Sequence, residues 1–294
     1  DMVKRTDPQV TVMAALPLAF YVLFVIVPLG VAVALSFETW NGLAPAAWAG
    51  LLQWRRLFSD PVVWGALGTT LRLMAYAWLM QTPVSLALGV FLAGRERYRD
   101  ILAIVMFLPL LFSAVAIGLT WIYILDPSFG VLTALAHQLH LAAPSWLGQR
   151  WVLVTLAAVI SWEFIPFHTL LYQAAVQQIP VELYEAAEID GAGLLGRFRA
   201  ITLPQLRYTF VTSTLLILVG SLTYFDLILV MTQGGPGYRS TVLSIYMYSE
   251  AFPKLHMGYG SAIAVLLAIL GVVLSLVLLR VSGFTRMRSE LEGG

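Results

Sequence analysis

The chain has 294 residues, of which 60% are hydrophobic and only 11% charged. A soluble domain carries about 25% charged residues, and 17 Lys+Arg with 16 Asp+Glu cannot clothe a core of this size in a polar skin. A soluble enzyme, a disordered chain and a nucleic-acid binder are therefore excluded. The net charge of +1 leaves no basic footprint, and the absence of cysteine removes disulfides, cysteine–zinc sites and thiol chemistry.

Six stretches reach the roughly 20 apolar residues that a transmembrane helix needs. They are residues 11–37, 64–92, 101–125, 151–173, 208–231 and 258–279. Each is apolar all round rather than alternating, which predicts helices and not a barrel. Pro17, Pro28, Pro83, Pro109 and Pro166 fall inside them and predict kinks. The first stretch follows Lys4 and Arg5 and contains Ala32-Val33-Ala34, so it resembles a cleavable signal. Its apolar run is much longer than the roughly 7–15 residues of a signal, which predicts an uncleaved first helix.

Orientation follows from Lys and Arg. An inside N-terminus places Lys4, Arg5, Arg95, Arg97, Arg99, Arg197, Arg199, Arg207, Arg280, Arg286 and Arg288 in the cytoplasm. It leaves only Arg55, Arg56, Arg150, Arg239 and Lys254 outside. Both termini are expected in the cytoplasm. Trp40, Trp48, Trp54, Trp64, Trp146 and Trp151 cluster at the expected outer boundary, where interfacial anchoring explains them. The external loops 40–63 and 126–150 are expected to be polar docking surfaces.

The long cytoplasmic loop between the fourth and fifth spans carries the most information. Pro180 suits a first helical position and Glu182 and Glu185 follow it, as a helix dipole favours. Gly191 suits a left-handed helix end, and a second short helix would stop before Pro204. The result is a helix–turn–helix with acids and arginines in water. Leu183, Tyr184, Ile189 and Phe198 remain to dock on something apolar, either the membrane surface or a partner.

Within that loop, Glu185-Ala186-Ala187, three residues, Gly191, nine residues, Ile201, one residue and Leu203-Pro204 resemble the EAA loop of permease subunits of bacterial ATP-binding-cassette importers. After the fifth span, Phe225-Asp226 followed by Thr232-Gln233-Gly234-Gly235-Pro236, with Ser240-Thr241 downstream, resembles the carbohydrate-uptake branch. That branch is represented by the first permease subunit of the maltose and glycerol-3-phosphate importers. The resemblance implies an all-α integral membrane fold of the type I importer kind, with six transmembrane helices and both termini cytoplasmic. Residues 1–45 would hold a cytoplasmic tail and the first helix. Residues 62–281 would form the permease core with its coupling loop at 179–204, and 282–294 a cytoplasmic tail.

The resemblance also implies partners. They are a second permease, two ATPase subunits, an extracytoplasmic sugar-binding protein and membrane lipid, with no nucleic acid. The localisation would be the bacterial cytoplasmic membrane. Glu182, Tyr184, Glu185, Ala186, Ala187, Asp190, Gly191 and Arg197 would couple to the ATPase. A P-loop needs Gly-Lys-Ser/Thr, but the only lysines are Lys4 and Lys254, preceded by Val3 and Pro253. No cofactor is expected on this chain; ATP and Mg would sit on the partner ATPase, and the chain would be a transport subunit rather than an enzyme.

Ionisable groups inside a span are costly and mark sites by default. Arg72, Glu163, His168 and Asp226 stand out. A carboxylate beside aromatic rings suits a sugar, since acids take hydroxyl protons and rings cover C–H faces. Glu163 lies beside Trp162, Phe164 and Phe167, and Ser221 and Tyr224 share a helix face. The resemblance implies a substrate path through Glu163, Phe164, Phe167, Ile217, Gly220, Ser221, Tyr224 and Asp226, with a di- or oligosaccharide as cargo and a glycerol phosphate as the alternative. Bland readings remain beside these: Glu163 paired with Arg72, Asp226 holding the turn after it, and His168 packed in the core. His137 and His140 have no third ligand and predict no metal site. An ion-coupled secondary transporter with Glu163, His168 and Asp226 as a relay is the competing function, although no inverted repeat supports it.

Overall fold

The structure, a computed structural model, describes residues 8–94 and 96–282. Lys4, Arg5, Arg95, Arg286 and Arg288 of the orientation count lie outside the described residues. The described chain is almost wholly helical. In order it forms α1 (Pro8–Tyr21), a π-helical turn (Val22–Ile26), α2 (Val27–Leu35), β1 (Glu38–Thr39), β2 (Ala47–Trp48), α3 (Leu52–Ser59) and α4 (Pro61–Leu92). There follow α5 (Arg97–Phe107), a 3-10 turn (Leu108–Leu111), α6 (Ala114–Ile124), α7 (Val131–Gln138), α8 (Val152–Val176) and α9 (Val181–Ile189). The chain closes with α10 (Leu194–Arg197), a second π-helical turn (Phe198–Thr202), α11 (Leu203–Gln205), α12 (Arg207–Leu222), α13 (Asp226–Thr232), α14 (Leu243–Ala251) and α15 (Met257–Val281).

Among the described residues four segments are long and apolar enough to cross a membrane: Ala15–Leu35, α4, α8 and α15. The third and fifth expected spans are not straight. Arg97–Leu111 meets Ala114–Ile124 at 98°, and α12 meets α13 at 49°. Pro109 lies in the 3-10 turn before the first break, and Ser113 then caps α6 by accepting from the Ala116 N–H at 3.2 Å. The second break holds no proline. Thr223 turns its hydroxyl onto the Gly220 carbonyl at 2.9 Å, and Phe225 leaves helical geometry. At Pro28 the expected disturbance falls upstream, in the π-helical turn whose Phe24 carbonyl the ring would crowd. Helices α4 and α8 run through Pro83 and Pro166 as single elements.

The chain divides into two compact units. Of the described residues, the first comprises 8–63 and 246–269. The apolar side chains from Leu16 to Leu29 stand exposed, as a helix meant for lipid or a partner helix requires. The expected external loop 40–63 is not plain coil. Strands β1 and β2 pair antiparallel, with Glu38 opposite Trp48, and α3 follows. Two carboxylates organise this unit. Asp60 accepts the hydroxyls of Tyr246 at 2.6 Å and Tyr259 at 2.7 Å. Glu250, with its side chain 3% exposed, accepts from Arg56 at 3.0 Å, Lys254 at 2.5 Å and His256 at 2.9 Å. Arg56 also lies over the Tyr259 ring at 3.9 Å.

The second unit comprises the described residues 64–94, 96–245 and 270–282. Its core packs Leu73 of α4, Ile117 of α6, Leu156 and Ile160 of α8, and Ile228 of α13. Without a hydrophobic drive between helices in lipid, small residues and polar bonds hold such a bundle. Both are present. Trp78 donates to Thr214 at 3.1 Å, Ser85 to the Ile165 carbonyl at 3.2 Å, and Gln173 to the Leu92 carbonyl at 3.1 Å. At Gly89 a Cβ would lie 2.5 Å from the Tyr172 Cβ and 3.0 Å from the Thr169 carbonyl oxygen, so α4 and α8 meet on a bare backbone. Gly89→Ala is expected to cost about 1–3 kcal/mol by overpacking, read as a lower melting midpoint in detergent. Gly68→Ala, in open space on the same helix, should leave the midpoint unchanged or raise it.

Candidate functional site

A cavity of about 450 Å³ opens between α8 and the broken pair α12–α13, with Leu110 and Ala114 at its edge. Glu163, Phe164, Phe167, Ile217, Gly220, Tyr224 and Asp226 all line it. The break at residues 223–225 explains the gathering: it turns α13 so that Asp226 starts a new helix on the cavity wall. Phe164 and Tyr224 stack at 5.8 Å and 29°, forming a flat aromatic platform. The Tyr224 hydroxyl accepts from Gln81 at 3.5 Å, and Ser244 donates to its carbonyl at 2.6 Å. Ser221 is the expected path residue that the structure does not bring to the cavity. It is buried, and its hydroxyl bonds back to the Ile217 carbonyl at 2.6 Å.

His168 lies at the cavity's inner edge but is 3% exposed, with Nδ1 3.0 Å from the Ser213 hydroxyl. That geometry is a packed histidine. Arg72 does not pair with Glu163. It bonds the Gly68 carbonyl and the Thr69 hydroxyl, both at 3.2 Å, one turn back on its own helix. Thr223 and Phe225 also line the cavity, and Gln81 reaches it only through the Tyr224 hydroxyl; of these, only Phe225 is marked in the sequence, as part of the Phe225-Asp226 motif. An amide in an apolar run was the available signal for Gln81. Among the described residues no group of three or more His, Cys, Asp or Glu could hold a metal.

The loop between α8 and α12 forms the expected helix–turn–helix with two differences. Pro180 caps α9 instead of standing in its first turn. The second arm does not stop before Pro204 but runs through it to Gln205, where a proline at the start of a helical segment has no N–H bond to lose. Helix α9 ends at Asp190, and Gly191 follows in the left-handed region at φ +76°. The N–H of Gly191 bonds the Glu188 carbonyl, and that of Ala192 bonds the Ala187 carbonyl, closing the helix end. The second arm is braced to the first by Glu188–Arg197 at 2.9 Å and Tyr184–Thr202 at 2.9 Å. Tyr184 and Arg197 are thus spent inside the loop. Phe198 is half-buried with them. Glu182, Glu185, Ala186 and Asp190 are exposed, and Ala187 is half-exposed. Beside them stand Ile189 at 86% and Leu194 at 82% exposure.

The family described as "Binding-protein-dependent transport system inner membrane component" matches residues 85–286, which span both the cavity and this loop. The chain belongs to that family. The permease is 35% identical to a probable ABC transporter permease protein of Pyrococcus horikoshii, over 82% of this chain and 84% of the other. It is 31% identical to the diacetylchitobiose uptake system permease protein NgcF of Streptomyces coelicolor, over 96% of this chain and 85% of that one. It is also 31% identical to the trehalose/maltose transport system permease protein MalF of Thermococcus litoralis, over 81% and 80%. Its fold matches a chain of the bacterial alginate ABC transporter solved with an alginate pentasaccharide-bound periplasmic protein, at a TM-score of 0.82 and 22% identity, over 94% of each chain. The permease is a membrane transport subunit of an ATP-binding-cassette importer, with ATP hydrolysis carried by separate subunits.

Proposed function

We propose that this permease spans the membrane six times with both termini in the cytoplasm, the two bent helix pairs each counting as one span. A second permease completes the translocation path. Two ATPase subunits drive it, and ATP and Mg stay on them. An extracytoplasmic binding protein delivers a di- or oligosaccharide, as the names of the relatives from Streptomyces coelicolor and Thermococcus litoralis support. The cavity is this chain's share of the path. Its aromatic platform of Phe164 and Tyr224 would cover sugar C–H faces, and Glu163 and Asp226 would accept sugar hydroxyls. Helix α9 is the coupling element: Glu185 and Gly191 meet the ATPase while Tyr184 and Arg197 hold the loop in shape.

The observation that carries this reading is the exposed tip of the braced loop. Ile189 and Leu194 are presented to solvent with no described residue of this chain covering them, and such an apolar knob suits a partner. The test is a mild-detergent pull-down of the tagged chain with mass spectrometry of what co-purifies. An ATPase and a second multi-span permease are expected. A chain that purifies alone in several detergents overturns the reading.

A further inference from the structure

Resting on the sugar-path reading above, the cavity wall says more than that a sugar fits. Among the described residues its charged groups are Glu163 and Asp226, and no lysine or arginine lines it. Both carboxyl groups stand on this one wall. The other polar groups are the Tyr224 and Thr223 hydroxyls and a nearly buried His168 already bonded to Ser213. Arg72 of α4 does not line the cavity and bonds its own helix. The rest of the lining is aromatic or aliphatic, so little water screens whatever enters.

We propose that Glu163 and Asp226 form a charge filter that excludes anionic sugars, leaving neutral and amino sugars as the transported class. A uronate, sulfonate or phosphate group would be desolvated against two carboxylates with no counter-ion on this wall. A hydroxyl finds an acceptor there, and an ammonium finds a partner. The filter also removes the glycerol phosphate alternative.

The test uses the complete importer, purified with its partners and binding protein and reconstituted in ATP-loaded vesicles. The vesicles receive an equimolar pool of neutral disaccharides, their uronic acids and their free amino forms, and the lumen is analysed by mass spectrometry. Uronic acids are expected to be depleted at least about tenfold relative to the neutral forms, as like-charge contact demands. The E163Q/D226N double variant, and each single variant, should narrow that ratio while still co-purifying with the ATPase. Enrichment of uronic acids, or a ratio that the variants leave unchanged, overturns the filter and leaves the import reading intact. If no sugar of any charge enters while the ATPase turns over, the import reading fails and the filter falls with it.

Discussion

Gly191→Asp and Glu185→Lys are each expected to lower uptake more than about tenfold while the chain still inserts and still co-purifies with its second permease. The reasons differ. Gly191 sits at φ +76°, where a side chain costs on the order of 1–2 kcal/mol. An Asp there also adds a charge beside the exposed Asp190 and Glu185. Gly191→Asn isolates the charge: Asn and Asp tolerate the left-handed region alike, but Asn is neutral, so it should retain most of the uptake. Glu185 is exposed, and the ion pair that braces the loop is made by Glu188 with Arg197. Glu185→Lys therefore leaves the fold of the loop alone and reverses the charge offered to the ATPase. Substrate-stimulated ATP hydrolysis and uptake are measured together in reconstituted vesicles. Normal values for both substitutions would remove helix α9 from the coupling pathway.

The loop and the cavity differed in how far sequence alone exposed them. The loop is local. Pro180 and Gly191 punctuate it, and caps and turns act over a few residues, so its helix–turn–helix was readable from spacing, although the second arm runs past Pro204, where a stop was expected. What spacing could not show is that Tyr184 and Arg197 turn inward, because the Thr202 and Glu188 partners come from opposite arms of the turn. The cavity is assembled across helices. Glu163 and Asp226 announce themselves as charges in apolar runs, and they do meet on one wall. Ser221 shares a helix face with Tyr224 by period, but the break after Leu222 ends that period. Tyr224 therefore swings to the cavity while Ser221 stays with its own helix. Breaks without proline are set by packing, and hydropathy windows average over them. The same averaging hid the 98° bend at residues 112–113, where only Pro109 gave a signal.

Glu250→Ala should destabilise the chain by about 1.5–3 kcal/mol, the scale for hydrogen bonds to a charged group, since the carboxylate is buried and its cationic partners are half exposed. A matching loss should appear in the wild type on acidification. Burial alone would raise the Glu250 carboxyl, but hydrogen bonds from Lys254 and His256 and the charges of Lys254 and Arg56 outweigh it and hold the group below its ordinary 4.5. Asp60 behaves alike: burial raises it, and the hydroxyls of Tyr246 and Tyr259, the Val62 N–H and the Arg56 charge bring it below 3.8. A depressed folded value means that the unfolded chain takes up protons first as pH falls. Stability is therefore fully present above the ordinary carboxylate values and is lost as pH drops through the lower, folded ones. Melting in detergent should be flat from neutral pH to about 5 and should then fall. Glu250→Gln keeps the shape but cannot satisfy three cationic donors with charge. It should start from a lower midpoint and show a shallower acid decline, the residual slope belonging to Asp60. An acid decline of unchanged steepness in Glu250→Gln would place the pH sensitivity elsewhere and reduce the cluster to packing.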